Sequence, residues 1–71
     1  MNKYSDFSMY ELVAMYTALD SQIEEITLLL NSPETPFEYR GKLNDSLRYS
    51  KSAYQKLDKI FESENYSPYQ N

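Results

Sequence analysis

Apolar residues recur every three and four positions along two long runs, and Thr35-Pro36-Phe37-Glu38 stands between them. In the first run Met9, Leu12, Tyr16, Leu19, Ile23, Ile26 and Leu30 carry the repeat, as alternating a and d positions of a heptad would. In the second, Leu43, Leu47, Ser50, Tyr54, Leu57 and Phe61 carry it, widened on one flank by Tyr39, Ala53 and Ile60. This period predicts two amphipathic helices, about 9–30 and about 36–63, followed by a flexible tail over about 65–71. The fold class expected is all-α: one antiparallel helical hairpin in a single domain spanning 1–71.

The helix ends are written locally. Ser8-Met9-Tyr10-Glu11 has the form of a capping box, in which Ser8 takes the N3 amide and Glu11 reaches back to the N-cap amide. Phe7 and Leu12 stand at the two positions of a hydrophobic staple. Asn31-Ser32-Pro33 ends the first helix, because proline cannot continue the hydrogen-bond ladder. For the second helix the pattern predicts Thr35 as N-cap, Pro36 at N1 and Glu38 completing a box. Gly41 weakens that helix by about 1 kcal/mol relative to alanine.

A linker of about five residues makes the helices antiparallel neighbours. Folding the pattern about it pairs Leu19 with Leu47, Ile23 with Leu43 and Leu12 with Tyr54, and sets the large Tyr16 opposite the small Ser50. Glu11, Asp20, Glu24 and Glu25 are the charged residues between Ser8 and Leu30, whereas Arg40, Lys42, Arg48, Lys51, Lys56 and Lys59 lie in the second helix. This register expects Asp20 near Lys51. Exposed pairs of that kind contribute about 0–1 kcal/mol each, so they orient the hairpin more than they stabilise it.

At 71 residues, with no cysteine and no histidine, the chain has neither disulfides nor the ligands zinc prefers. Chains this short usually supplement their core, and oligomerisation is the remedy left. Val13, Met15 and Leu29 widen the first apolar stripe as Tyr39, Ala53 and Ile60 widen the second, giving the broad face of a bundle helix rather than a narrow seam. The expected completion is a second copy, making a homodimeric four-helix bundle. Its core and dimer interface are expected from Met15, Tyr16, Leu19, Ile23, Leu29, Tyr39, Leu47, Tyr54, Leu57 and Ile60.

The chemistry of the chain points to binding. There is no phosphate-cradling glycine loop, and the adjacent carboxylates Glu24 and Glu25 diverge on a helix, so no catalytic residue, cofactor or metal is expected. A net charge of −4 and a pI near 4.6 disfavour nucleic acid and anionic membranes. No run approaches the ~20 apolar residues of a membrane span, and the first residues lack a secretory signal's apolar region, so a cytoplasmic location is expected. Partner-binding candidates by position are Tyr10, Glu24, Glu25, Arg48, Tyr49 and Lys56, on the outward faces of the two helices. Tyrosine contributes large contact area with a polar tip, and eight occur here, among them Tyr66 and Tyr69 in the expected tail.

Glu11-Leu12-Val13-Ala14-Met15-Tyr16-Thr17-Ala18-Leu19-Asp20, with Glu25-Ile26 after it, resembles the third helix of the Hha/YmoA family of nucleoid modulators. Members of that family are small helical proteins that bind the silencing protein H-NS. The resemblance implies a partner-binding role for Asp20, and with it an alternative function as a nucleoid- or nucleic-acid-associated module using the basic second helix. Ser21-Gln22 replaces that family's His-Arg. Gln55-Lys56-Leu57-Asp58 looks like part of the helical-hairpin family that dephosphorylates sporulation response regulators, with Tyr54 where that family has serine. In size, acidity and organisation the chain is similar to small phage accessory proteins such as those of lambda's exo–xis region. The function expected is that of a small acidic protein-binding regulator or inhibitor, encoded by a phage or mobile element.

Overall fold

Helix α1 spans Met9–Asn31 and helix α2 spans Phe37–Ser63. They pack against each other as an antiparallel hairpin in the computed structural model, which describes residues 6–69. At 1.5 Å per residue the 27 residues of α2 make a rod of about 40 Å, which accounts for the 43 Å longest dimension. No helix among the described residues is long and apolar enough to cross a membrane.

The start of α1 follows its sequence. Glu11 N donates to Ser8 Oγ at 3.1 Å and Ser8 N donates to Glu11 Oε1 at 2.8 Å, which closes both halves of the capping box. Those two bonds satisfy amides that helix geometry would otherwise leave unpaired. The Glu11 carboxyl is held below its ordinary pKa, first by the Ser8 amide that donates to it and then by the neighbouring Ser8 hydroxyl.

The turn between the helices differs from expectation. Pro36, not Thr35, is the N-cap of α2, and it supplies no side-chain cap. Thr35 Oγ1 instead donates to the Leu29 carbonyl at 2.6 Å, at the end of the other helix. Arg40 joins it: Nη1 donates to the Leu30 carbonyl at 2.6 Å and Nη2 to the Ser32 carbonyl at 2.7 Å. The last turn of α1 contains no basic residue of its own. A guanidinium from the facing helix thus satisfies its orphaned carbonyls and complements the negative end of its dipole. The hydroxyl and the guanidinium are committed to α1, so the first turn of α2 is left to begin on proline alone.

The buried cluster lies at the far end, where the chain enters α1 and leaves α2. Leu12, Tyr16, Leu57, Ile60 and Phe61 form it, with Met9, Val13, Leu19, Tyr54 and Tyr66 packed around them. Ile26 and Ser50 are also buried, whereas Ile23, Leu30, Leu43 and Leu47 are half-buried. The observed register differs from the heptad pairing. Tyr16 stacks on Tyr54, one turn further along α2 than the expected Ser50. Asp20 does not pair with Lys51; among the described residues the ion pair within 4.0 Å joins Arg48 to Asp45 at 3.4 Å, both on α2. A shift of one turn costs an apolar heptad pattern little, and here it gathers the largest rings in one place.

Residues 65–69 do not extend away as a frayed tail. Asn65 adopts φ 55°, and beyond it Asn65 N donates to the Glu62 carbonyl at 3.1 Å and Tyr66 N to the Phe61 carbonyl at 2.8 Å. This pair of bonds is a Schellman motif, with asparagine in the left-handed position that glycine usually fills. The accompanying apolar contact is also present: the Phe61 and Tyr66 rings lie 5.8 Å apart. The chain is thereby turned back onto the hairpin as a short strap. Gln70 and Asn71, the end of the expected tail, lie outside the described residues.

Candidate functional site

Two open surfaces remain once the helices have packed, one at each end of the hairpin. At the loop end, α1, the turn and α2 enclose a groove of about 490 Å³ whose apolar walls are Leu29, Pro36, Tyr39 and Leu43. Glu34 and Lys42 stand on its lining with opposite charges. Leu29 is 42% exposed and Tyr39 55%, and Met15, further along α1, is 42% exposed. Leu29 and Tyr39 thus stand on the lining of a groove open to solvent. Phe37 is 88% exposed beside it.

The residues expected at the core and interface divide in two. Tyr16, Leu57 and Ile60 are buried within the hairpin, and Leu19, Ile23, Leu47 and Tyr54 are half-buried. Ile60, read from the sequence as a flank, is consumed by the hairpin's own core because the strap and Phe61 close that side. Met15, Leu29 and Tyr39 are the apolar members that stay outside.

At the other end the strap builds an aromatic assembly. The Tyr16 and Tyr54 rings are parallel at 4.2 Å, Phe61 meets Tyr16 edge-on at 5.1 Å, and Tyr69 is tilted over Tyr16 at 5.6 Å. Such pairs each contribute about 0.5–1.5 kcal/mol beyond the area they bury. Tyr16 donates to Asp58 Oδ1 at 2.8 Å, the usual length of an O–H···O hydrogen bond. Tyr69 donates to Asp20 Oδ2 at 3.3 Å, and the Tyr54 and Tyr69 hydroxyls lie 3.2 Å apart. These phenols resist ionisation. Loss of water around Tyr16 raises its pKa above the ordinary value near 10, and the Asp58 carboxylate adds to the effect. The Tyr16 hydroxyl raises Tyr54, and the Tyr54 hydroxyl raises Tyr69.

The expected partner-binding residues do not converge on one point. Tyr10 and Tyr49 are exposed, as are Glu24, Glu25 and Lys56. Glu24 and Glu25 share a shallow depression with Ser21 and Leu28. Arg48 is occupied locally, with its guanidinium 5.0 Å from the Tyr49 ring centroid and 3.4 Å from Asp45 Oδ1. Asp20, given a partner-binding role by the resemblance to the Hha/YmoA helix, is engaged by the strap through Tyr69. Among the described residues, no three acidic, histidine or cysteine side chains gather as metal ligands.

Asp58, Tyr66, Tyr69 and Arg40 were missed as structural partners by the helical pattern. One signal was present for the strap: Asn65-Tyr66 directly after a helix, with Phe61 in position for the apolar contact of a Schellman motif. Nothing local marks Asp58 as the acceptor for Tyr16, forty-two positions away. No protein-family model, curated protein or solved structure matches this chain.

Proposed function

We propose that this protein is a small acidic regulator that acts by binding another protein, its hairpin completed by a second copy into a four-helix bundle. The observation that carries the reading is the open apolar groove between Leu29 and Tyr39. A short chain gains little by leaving such side chains in water; burying each one fully is worth about 1.5–3 kcal/mol. Glu34 and Lys42 make the groove self-complementary, since a two-fold axis brings each charge of one copy toward the opposite charge of the other. With the groove closed in this way, Tyr10, Glu24 and Glu25 on α1 and Tyr49 and Lys56 on α2 remain on the outer faces for the regulated partner. A phage or mobile-element origin suits a protein of this size and acidity.

Sedimentation equilibrium over a wide concentration range tests the assembly. The reading expects a dimer, reduced to a folded monomer by Leu29→Glu, a change at an exposed position that leaves the buried cluster intact. A wild-type protein that stays monomeric and fully helical at the highest concentrations would sink the bundle and make the groove itself the place where a different protein docks.

A further inference from the structure

Between the strap and α2 lies a second hollow, of about 340 Å³ and open to solvent, at the end of the hairpin opposite the loop. Its walls carry the rings of Tyr16, Phe61, Tyr66 and Tyr69 together with two carboxylates, Asp58 and Glu62, one helical turn apart on α2. No lysine or arginine lines it, and neither carboxylate forms an ion pair with a described residue. Asp58 accepts the Tyr16 hydroxyl on Oδ1. A carboxylate has about four lone-pair positions, so that bond uses a fraction of its capacity.

Aromatic rings attract cations through their negative faces, and the attraction strengthens where water is partly excluded. Carboxylates beside those rings supply the complementary charge. The size of the cavity lies at the small end of ligand sites, suited to one extended side chain and too small for a helix. Among cationic side chains, arginine combines a plane that lies against rings with a fork that meets carboxylates, whereas lysine offers a strongly hydrated point charge. We infer that this cavity is a receptor for an arginine side chain presented by a partner protein, with Asp58 and Glu62 meeting the guanidinium and the tyrosine rings flanking it. The inference rests on the protein-binding reading above and gives that partner a specific anchor. The site exists because the Schellman turn at Asn65 brings Tyr66 and Tyr69 back over α2; the two helices without the strap would leave Asp58 and Glu62 on an open face.

The test titrates the full chain with N-acetyl-arginine amide and, separately, with N-acetyl-citrulline amide, a neutral compound of nearly the same shape. Aromatic NMR signals of Tyr16, Tyr66 and Tyr69 report occupancy. Saturable shifts confined to those rings, given by the arginine compound and not by the citrulline one, are expected. Glu62→Gln, at an exposed position, should weaken the binding about tenfold, the effect of losing one charge-assisted contact. Equal response to citrulline, no saturation, or shifts spread over the acidic surface around Glu24 and Glu25 would each overturn the assignment, as would unchanged affinity in Glu62→Gln. The oligomeric state enters none of these readouts, so a monomer in the centrifuge and an empty cavity are separate failures.

Discussion

Tyr16 and Tyr54, one from each helix, stack with their rings 4.2 Å apart and 7° from parallel. The contact sets how far one helix has slid along the other, because Phe61 closes on the edge of Tyr16 and Asp58 accepts a hydrogen bond from its hydroxyl in the same arrangement. Tyr16 is 4% exposed, so both its ring and its phenol depend on this register.

Tyr16→Phe keeps the ring contacts and removes the bond to Asp58. It is expected to lower stability by about 0.5–1.5 kcal/mol, whereas Tyr16→Ala should cost about 3–5 kcal/mol through the cavity it leaves. Urea unfolding followed by helicity separates the two. Equal losses for both variants would mean that the hydroxyl, not the stack, holds the register.

Arg40 is expected to be the most costly charged residue to replace. Arg40→Ala removes two donors from the Leu30 and Ser32 carbonyls, and hydrogen bonds to charged groups contribute about 1.5–3 kcal/mol each. The guanidinium is partly exposed, so the lower end of that range applies to the pair. Arg40→Lys should recover only part of the loss, since an ammonium lacks the fork that spans both carbonyls. Thermal denaturation of the three proteins checks the order; a lysine variant equal to wild type would reduce the role of Arg40 to charge alone.

Gly41 offers a gain. It lies within α2, its φ is not positive, and a Cβ built there meets nothing within 4 Å. Gly41→Ala is therefore expected to stabilise the protein by about 1 kcal/mol, through helix propensity and a less flexible unfolded chain. An unchanged or lower unfolding midpoint would show that this position faces a partner in the assembled protein.

Stability should fall at both ends of the pH scale, for opposite reasons. Tyr16, Tyr54 and Tyr69 have folded pKa values above the ordinary value near 10, so their contribution is complete below that pH and is lost as pH rises through the folded values. Glu11 lies below its ordinary value of 4.5, so its contribution is complete above that pH and is lost as pH falls through the folded value. Urea midpoints measured against pH should show both limbs. Tyr69→Phe is expected to flatten the alkaline limb and Glu11→Gln the acid one; limbs unaltered by these changes would assign the pH dependence to other groups.

The sequence alone determined the all-α class, the two helices to within a residue or so of their ends, and the capping box at Ser8 and Glu11. These features depend on residues three or four apart, so each is legible wherever the chain passes through it. Tertiary structure decided the register, the cap that Arg40 places on the opposite helix, and the turn that carries Tyr66 and Tyr69 back to the core. A heptad pattern matches itself almost as well after a slip of one turn, so apolar spacing left Ser50 and Tyr54 as near-equal partners for Tyr16. What separates them is the combined demand of a large ring for other rings and of its buried hydroxyl for Asp58. Those demands involve residues tens of positions apart, and they act only when the helices are already side by side.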